Sequence, residues 1–76
     1  GSEIKFGAIV KIEDDETGEK SEYQIVGEYE SDIENKKLSI NSPLARGLIG
    51  KNKNDVVEIS SPKGIKTYNI LSVKFK

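Results

Sequence analysis

Apolar residues recur at every second position over the first strand-length stretch, where Phe6, Ala8, Val10 and Ile12 alternate with Gly7, Ile9 and Lys11. A period of two puts one set on one face of a strand, so this stretch predicts a half-buried β-strand with the first set inward. Tyr23 and Ile25 repeat the alternation against Glu22 and Gln24. Between the two runs, Thr17-Gly18 supplies a turn in which the glycine takes a positive φ, so the pair reads as a hairpin that ends or bulges at Gly27. Glu28 to Asn35 is acidic and aperiodic, although Ser31 followed by Glu34 fits a capping box over one turn with Ile33 as its inward anchor. Lys37 to Ile40 is a short extended segment. Val56 to Ser60 reads as a strand with Val57 and Ile59 opposite Glu58, and Ser61-Pro62-Lys63-Gly64 reads as the turn that follows. In the last stretch Tyr68 and Ile70 share one face while Leu71, Val73 and Phe75 take the other, which predicts a bulge or a sharp twist near Ile70-Leu71.

Periodicity changes from two to four between these strands. Leu44 and Leu48 are four residues apart, as are Ala45 and Ile49, which is the spacing of one helical face. Ser42 is a good N-cap with Asn41 as its competitor, Pro43 suits the first helical position, and Gly50 can take the left-handed conformation that stops a helix. The helix is about two turns long and must bury its stripe to persist. The sum is an α+β domain: an antiparallel sheet of about five strands wrapped around one short helix.

At 76 residues the chain predicts one domain, residues 3–76, with Gly1-Ser2 read as a cloning scar and the rest as a piece of a longer protein. Folding at this size buries only about 60% of the surface of the unfolded chain, so the core must be small. Ile, Leu, Val and Phe make 21 of the 76 residues, which favours a folded domain despite a charged content of 33%. There is no Cys and no His, which removes thiolate nucleophiles, disulfides, zinc-type ligand sets and imidazole catalysis. No apolar run reaches membrane-spanning length and no secretory signal is present, so a cytoplasmic protein is expected. The net charge of −1 divides into −8 over residues 1–34 (eleven acids, three bases) and +7 over residues 35–76 (two acids, nine bases). Either this division steers the domain onto a charged partner, or strands of both halves interleave and mix the signs, the reading we favour.

The central stretch from Ser39 through Asn41, Ser42, Pro43, Leu44, Ala45, Arg46, Gly47 and Gly50 to Lys51 resembles the C-terminal signature of the bacterial Gre transcript cleavage factors, GreA-type members most closely. The likeness runs on into Asp55-Val56-Val57. Phe6 to Val10, Tyr23 to Gly27 and Ser61 to Gly64 are similar, in order, to the opening strand, the second strand and the last hairpin turn of that family. The resemblance implies an FKBP-like fold and a non-catalytic domain that docks on bacterial RNA polymerase, gripping a coiled-coil tip at the rim of its secondary channel. On that likeness Asn41, Ser42, Pro43, Leu44 and Ala45 are the partner-binding residues. It implies a monomer without cofactor, metal or membrane association, touching transcript at most indirectly through the polymerase. The family's own coiled coil, whose acidic tip helps to hold the catalytic magnesium ion, has no counterpart in this sequence.

Other candidates read more plainly. Asp14, Asp15 and Glu16 suggest a magnesium site, but adjacent side chains point apart and cannot easily converge on a hard cation. A solvated hairpin tip is the expectation, and neutralising it should slightly stabilise the domain. Arg46 is either solvated or paired with an acid on a partner. Lys51, Lys53, Lys63 and Lys66 raise a nucleic-acid role, but the aromatics that would stack on bases fall on apolar strand faces, so Phe6, Tyr23 and Phe75 are assigned to the core. The alternatives are a peptidyl-prolyl isomerase of the FKBP type, for which this chain is poor in aromatics, and a polymerase-binding inhibitory relative.

Overall fold

The alternation at the start of the chain becomes β1 (Ala8–Asp14), whose Ala8, Val10 and Ile12 are buried in a computed structural model that describes residues 3–75. Gly1 and Ser2, expected from the sequence to be a cloning scar, lie outside the described residues. β2 (Lys20–Val26) returns antiparallel to β1 across a turn in which Gly18 has φ +77°. Two 3₁₀ turns, Glu28–Glu30 and Ile33–Asn35, lead to β3 (Lys37–Ser39) and then to α1 (Pro43–Leu48). β4 (Val56–Ser61) and β5 (Gly64–Phe75) close the chain as an antiparallel hairpin.

The strands lie in the order β3-β2-β1-β5-β4. β3 runs parallel to β2, so the sheet is mixed and not wholly antiparallel as expected from the sequence. The reason is local. Asp32 and Lys37 exchange backbone hydrogen bonds, each N–H donating to the other's carbonyl at 2.9 Å, and this folds the segment back so that β3 leaves alongside β2 in the same direction. The connection through α1 then carries the chain from one edge of the sheet to the other, which lays the helix across one face. Ala45 and Leu48 are buried there with Val10, Ile12, Ile25, Leu38, Val57 and Ile70.

The change of apolar face in the last strand is a bulge. Lys11 pairs with Ser72 and Ile12 with Ile70, so Leu71 is the residue without a partner on β1. This extra residue restores the phase: Ile70 and Val73 both face the core, opposite Ile12 and Val10.

Three core expectations fail. Phe6 is 57% exposed because Gly7, at φ +88°, turns the chain just before β1 begins. Phe75 is 51% exposed because it pairs with Ala8 at the open end of the sheet. Ile33 is 59% exposed, and the capping box does not form. The carboxylate of Asp32, one residue later than the predicted cap, accepts from the Glu34 N–H at 3.2 Å, while the Ser31 hydroxyl donates back to the Glu28 carbonyl at 2.9 Å. Ile4, ahead of any predicted strand, is fully buried; its N–H donates to the Lys51 carbonyl and its carbonyl accepts from Gly50 N–H.

Candidate functional site

The candidate site is the corner where β3 leaves the sheet edge and α1 begins. Ser42 wins the competition for the N-cap: its Oγ accepts from the Ala45 N–H at 3.2 Å, and Pro43 occupies the first turn, where a missing N–H is no loss. Asn41 is held from two sides. Its main-chain N–H donates to Ser39 Oγ at 3.1 Å, and its Nδ2 donates to Glu28 Oε2 at 3.4 Å. The Ser42 N–H donates to the Ser39 carbonyl at 2.9 Å. Gly50, at φ +87°, ends the helix as its position predicts.

The five residues of the corner are not equivalent. Asn41 and Pro43 are exposed, Ser42 and Leu44 are half-buried, and Ala45 is fully buried against the sheet. Ala45 therefore presents no side chain to a partner, and its part is to anchor the helix beneath the corner. Leu44 reaches sideways into a cleft of about 270 Å³, where it meets Ile12, Tyr23, Tyr68 and the Asp14–Lys66 pair. A prolyl-isomerase pocket needs several aromatic walls, whereas this cleft is lined by two tyrosines and an ion pair.

The hairpin-tip acids are engaged in the fold itself. Asp14 Oδ1 accepts from the N–H groups of Glu16 at 2.9 Å and Thr17 at 3.2 Å, and Oδ2 pairs with Lys66 Nζ at 3.3 Å. The two backbone N–H groups, with Lys66 adding to them, hold the Asp14 carboxyl below its ordinary value; the same hydrogen bond and charge from Asp14 raise Lys66. Asp15 Oδ1 accepts from Asn69 Nδ2 at 3.0 Å. Asp15 and Glu16 are exposed, as expected of a solvated tip, while Asp14 and Asp15 also close the turn and join strands, so neutralising them is not expected to stabilise the domain. Among the described residues no group of three His, Cys, Asp or Glu side chains is arranged to hold a metal ion. No helix among them is long and apolar enough to cross a membrane.

Sequence reasoning passed over Gly47. A Cβ on this residue would fall on the Cδ1 methyl of Ile59 and press Val57 Cγ1 at 3.4 Å, so glycine is what lets α1 lie close on β4. A glycine inside so short a helix, where it costs stability, was the available signal.

The fold and the site define a small α+β domain, with one capped helix laid across a five-stranded mixed sheet. Residues 1–75 match the family described as "Transcription elongation factor, GreA/GreB, C-term", and the chain belongs to that family. It is 53% identical, over all 76 residues, to the transcription elongation factor GreA of Rickettsia prowazekii, of which it covers 47%. It is 49% identical over 75 residues to GreA of Bartonella henselae, covering 99% of this chain and 48% of that one. The chain thus spans about half the length of the curated relatives it matches. Among solved structures, Thermus aquaticus Gfh1 superposes with a TM-score of 0.84 at 32% identity, covering 96% of this chain and 48% of that one. The GreA/GreB factor of Nitrosomonas europaea shares the fold, with a TM-score of 0.79 at 21% identity over 97% of this chain and 62% of that one. None of these relatives supports the prolyl-isomerase alternative.

Proposed function

We propose that this domain docks on bacterial RNA polymerase through the corner at Asn41–Leu44 and performs no catalysis itself. Its partner surface is a coiled-coil tip at the rim of the secondary channel. The domain acts as a cytoplasmic monomer without a cofactor, and any contact with transcript passes through the polymerase. One observation carries this reading: Asn41 and Pro43 are exposed on a corner whose backbone is fixed by the Ser42 cap and by hydrogen bonds to Ser39, with the Asn41 side chain bonded to Glu28. A preorganised surface loses little conformational entropy on binding, and a rigid proline beside a half-buried leucine suits the end of a helical hairpin. Membership of a family of transcription elongation factors supports the choice of partner.

Ser42→Asn and Pro43→Asn test the proposal. Asparagine caps a helix about as well as serine, so Ser42→Asn should leave the fold nearly intact while changing the surface. Capture on immobilised polymerase should fall by about tenfold or more for either variant, equivalent to about 1.4 kcal/mol, with a smaller loss in thermal stability. Binding that falls only in step with stability would show that the corner is a helix cap and nothing more.

A further inference from the structure

The two edges of the sheet are treated differently. β3 is three residues long, and the Asp32–Lys37 bridge folds over its start. β4 is six residues long, and among the described residues no strand pairs with its outer side. Antiparallel ladders alternate between residues bonded to the neighbour and residues whose N–H and C=O point away. Ser61 and Gly64 close the two-residue turn, and further along the Asp55 carbonyl accepts from Ile70 N–H at 2.9 Å. These two fixed points set the phase: Val57 and Ile59 bond inward to β5, while Val56, Glu58 and Ser60 present their backbone groups outward.

A groove of about 770 Å³ runs along this open edge. Arg46, Ile49 and Lys51 line it on the helix side, and Val56, which is 58% exposed, lines it with Glu58 on the strand side. The two ion pairs among the described residues are Lys20–Glu13 and Lys66–Asp14, so Arg46 and Lys51 have no acidic partner there. Asp55, the nearest acid in sequence to the start of β4, is engaged, its Oδ2 accepting from Asn52 N–H at 2.8 Å.

We propose that the β4 edge binds an extended segment of another protein in which acidic and apolar residues alternate, adding it to the sheet as a further strand. An added strand turns alternate side chains toward the helix side and the far side of the sheet. Carboxylates on the helix side meet Arg46 and Lys51, and the backbone bonds to Val56, Glu58 and Ser60. A basic segment meets two cations in the same place against the single carboxylate of Glu58. A second copy of this domain is a poor occupant: β4 carries Val57 and Ile59 on its helix-facing side, and two-fold pairing brings a second Arg46 and Lys51 into the groove. The proposal is independent of docking through Asn41–Leu44, because none of those residues lines the groove.

The test is titration of the isotope-labelled domain with a blocked hexapeptide alternating glutamate and valine, followed by amide shifts and hydrogen exchange. Saturable shifts and slowed exchange centred on Val56, Glu58 and Ser60 are expected, with affinity about tenfold above that of the lysine–valine counterpart and falling as salt rises. The same peptide N-methylated on its edge-facing amides should not bind. Arg46→Glu combined with Lys51→Glu, checked by its melt and amide spectrum, should invert the preference between the two peptides. Shifts centred elsewhere, equal affinity for both peptides, unsaturated binding at about millimolar peptide, or self-association of the domain through β4 would each overturn the proposal.

Discussion

Gly47 sets how closely the helix approaches the sheet, and two opposing effects meet at its missing side chain. Alanine would favour the helix by about 0.5 to 1 kcal/mol, because glycine loses more backbone freedom on folding. Its methyl would also displace Ile59 Cδ1 from the core margin, and overpacking of this kind costs about 1 to 3 kcal/mol. The net expectation for Gly47→Ala is a loss of about 1 kcal/mol. Ile59→Val deletes the obstructing methyl, so the double variant should be more stable than the sum of the single changes predicts, by a coupling of about 1 kcal/mol in denaturant melts. Additive effects would mean that the helix shifts instead of pressing on Ile59. The glycine is plain in the sequence, but its reason is not, since it depends on a side chain across the loop and on β4. Ser42, Pro43 and Gly50 were legible because a cap, a first-turn proline and a helix stop act on their own neighbours.

Among the elements, the β1–β2 hairpin owes its shape to Asp14 more than its acidic composition suggests. Its folded pKa lies below the ordinary 3.8, so its contribution to stability is fully present above that value and is lost as pH falls through the lower folded value. Asp14→Asn keeps the size but weakens acceptance from the Glu16 and Thr17 amides and removes the charge facing Lys66. The variant should melt below the parent at pH 7, and the gap should close as pH falls from the ordinary aspartate value through the lower folded one, where the parent's aspartate is itself protonated. A gap unchanged over that range would assign the loss to geometry and not to charge. The bulge at Leu71 was readable, because one side-chain phase cannot serve both Ile70 and Val73 without an extra residue. The direction of β3 was not readable, because three residues are too few to carry a period and the reversal at Asp32–Lys37 is made by backbone atoms that any sequence possesses.

At the scale of the molecule, the division of charge along the sequence is interleaved in space. The acidic half supplies β1 and β2, and the basic half supplies β3 on one side of them and β5 with β4 on the other. Long-range steering by two separate halves is therefore not built into the fold, and recognition falls to local surfaces. Docking by one such surface is weak by itself, whereas linking two contacts in one chain raises avidity by about 10² to 10⁴. On the proposed function, this domain added in excess should progressively inhibit transcript cleavage by an intact Gre factor held constant on stalled elongation complexes. Stimulation by the domain alone would overturn the non-catalytic reading, and indifference at high excess would remove the case for docking.

The pairing of Ala8 with Phe75 has a mechanical consequence. β1 and β5 are antiparallel neighbours whose outer ends meet at the same end of the sheet. A force pulling the chain ends apart would load this pair like a zipper, rupturing its hydrogen bonds one after another instead of shearing them together. The bonds from Ile4 to Gly50 and Lys51 stand ahead of that zipper and must break before it opens. Once they yield, β1 and β5, two of the three interior strands, peel apart with little resistance, and the domain unravels from its interior strands outward.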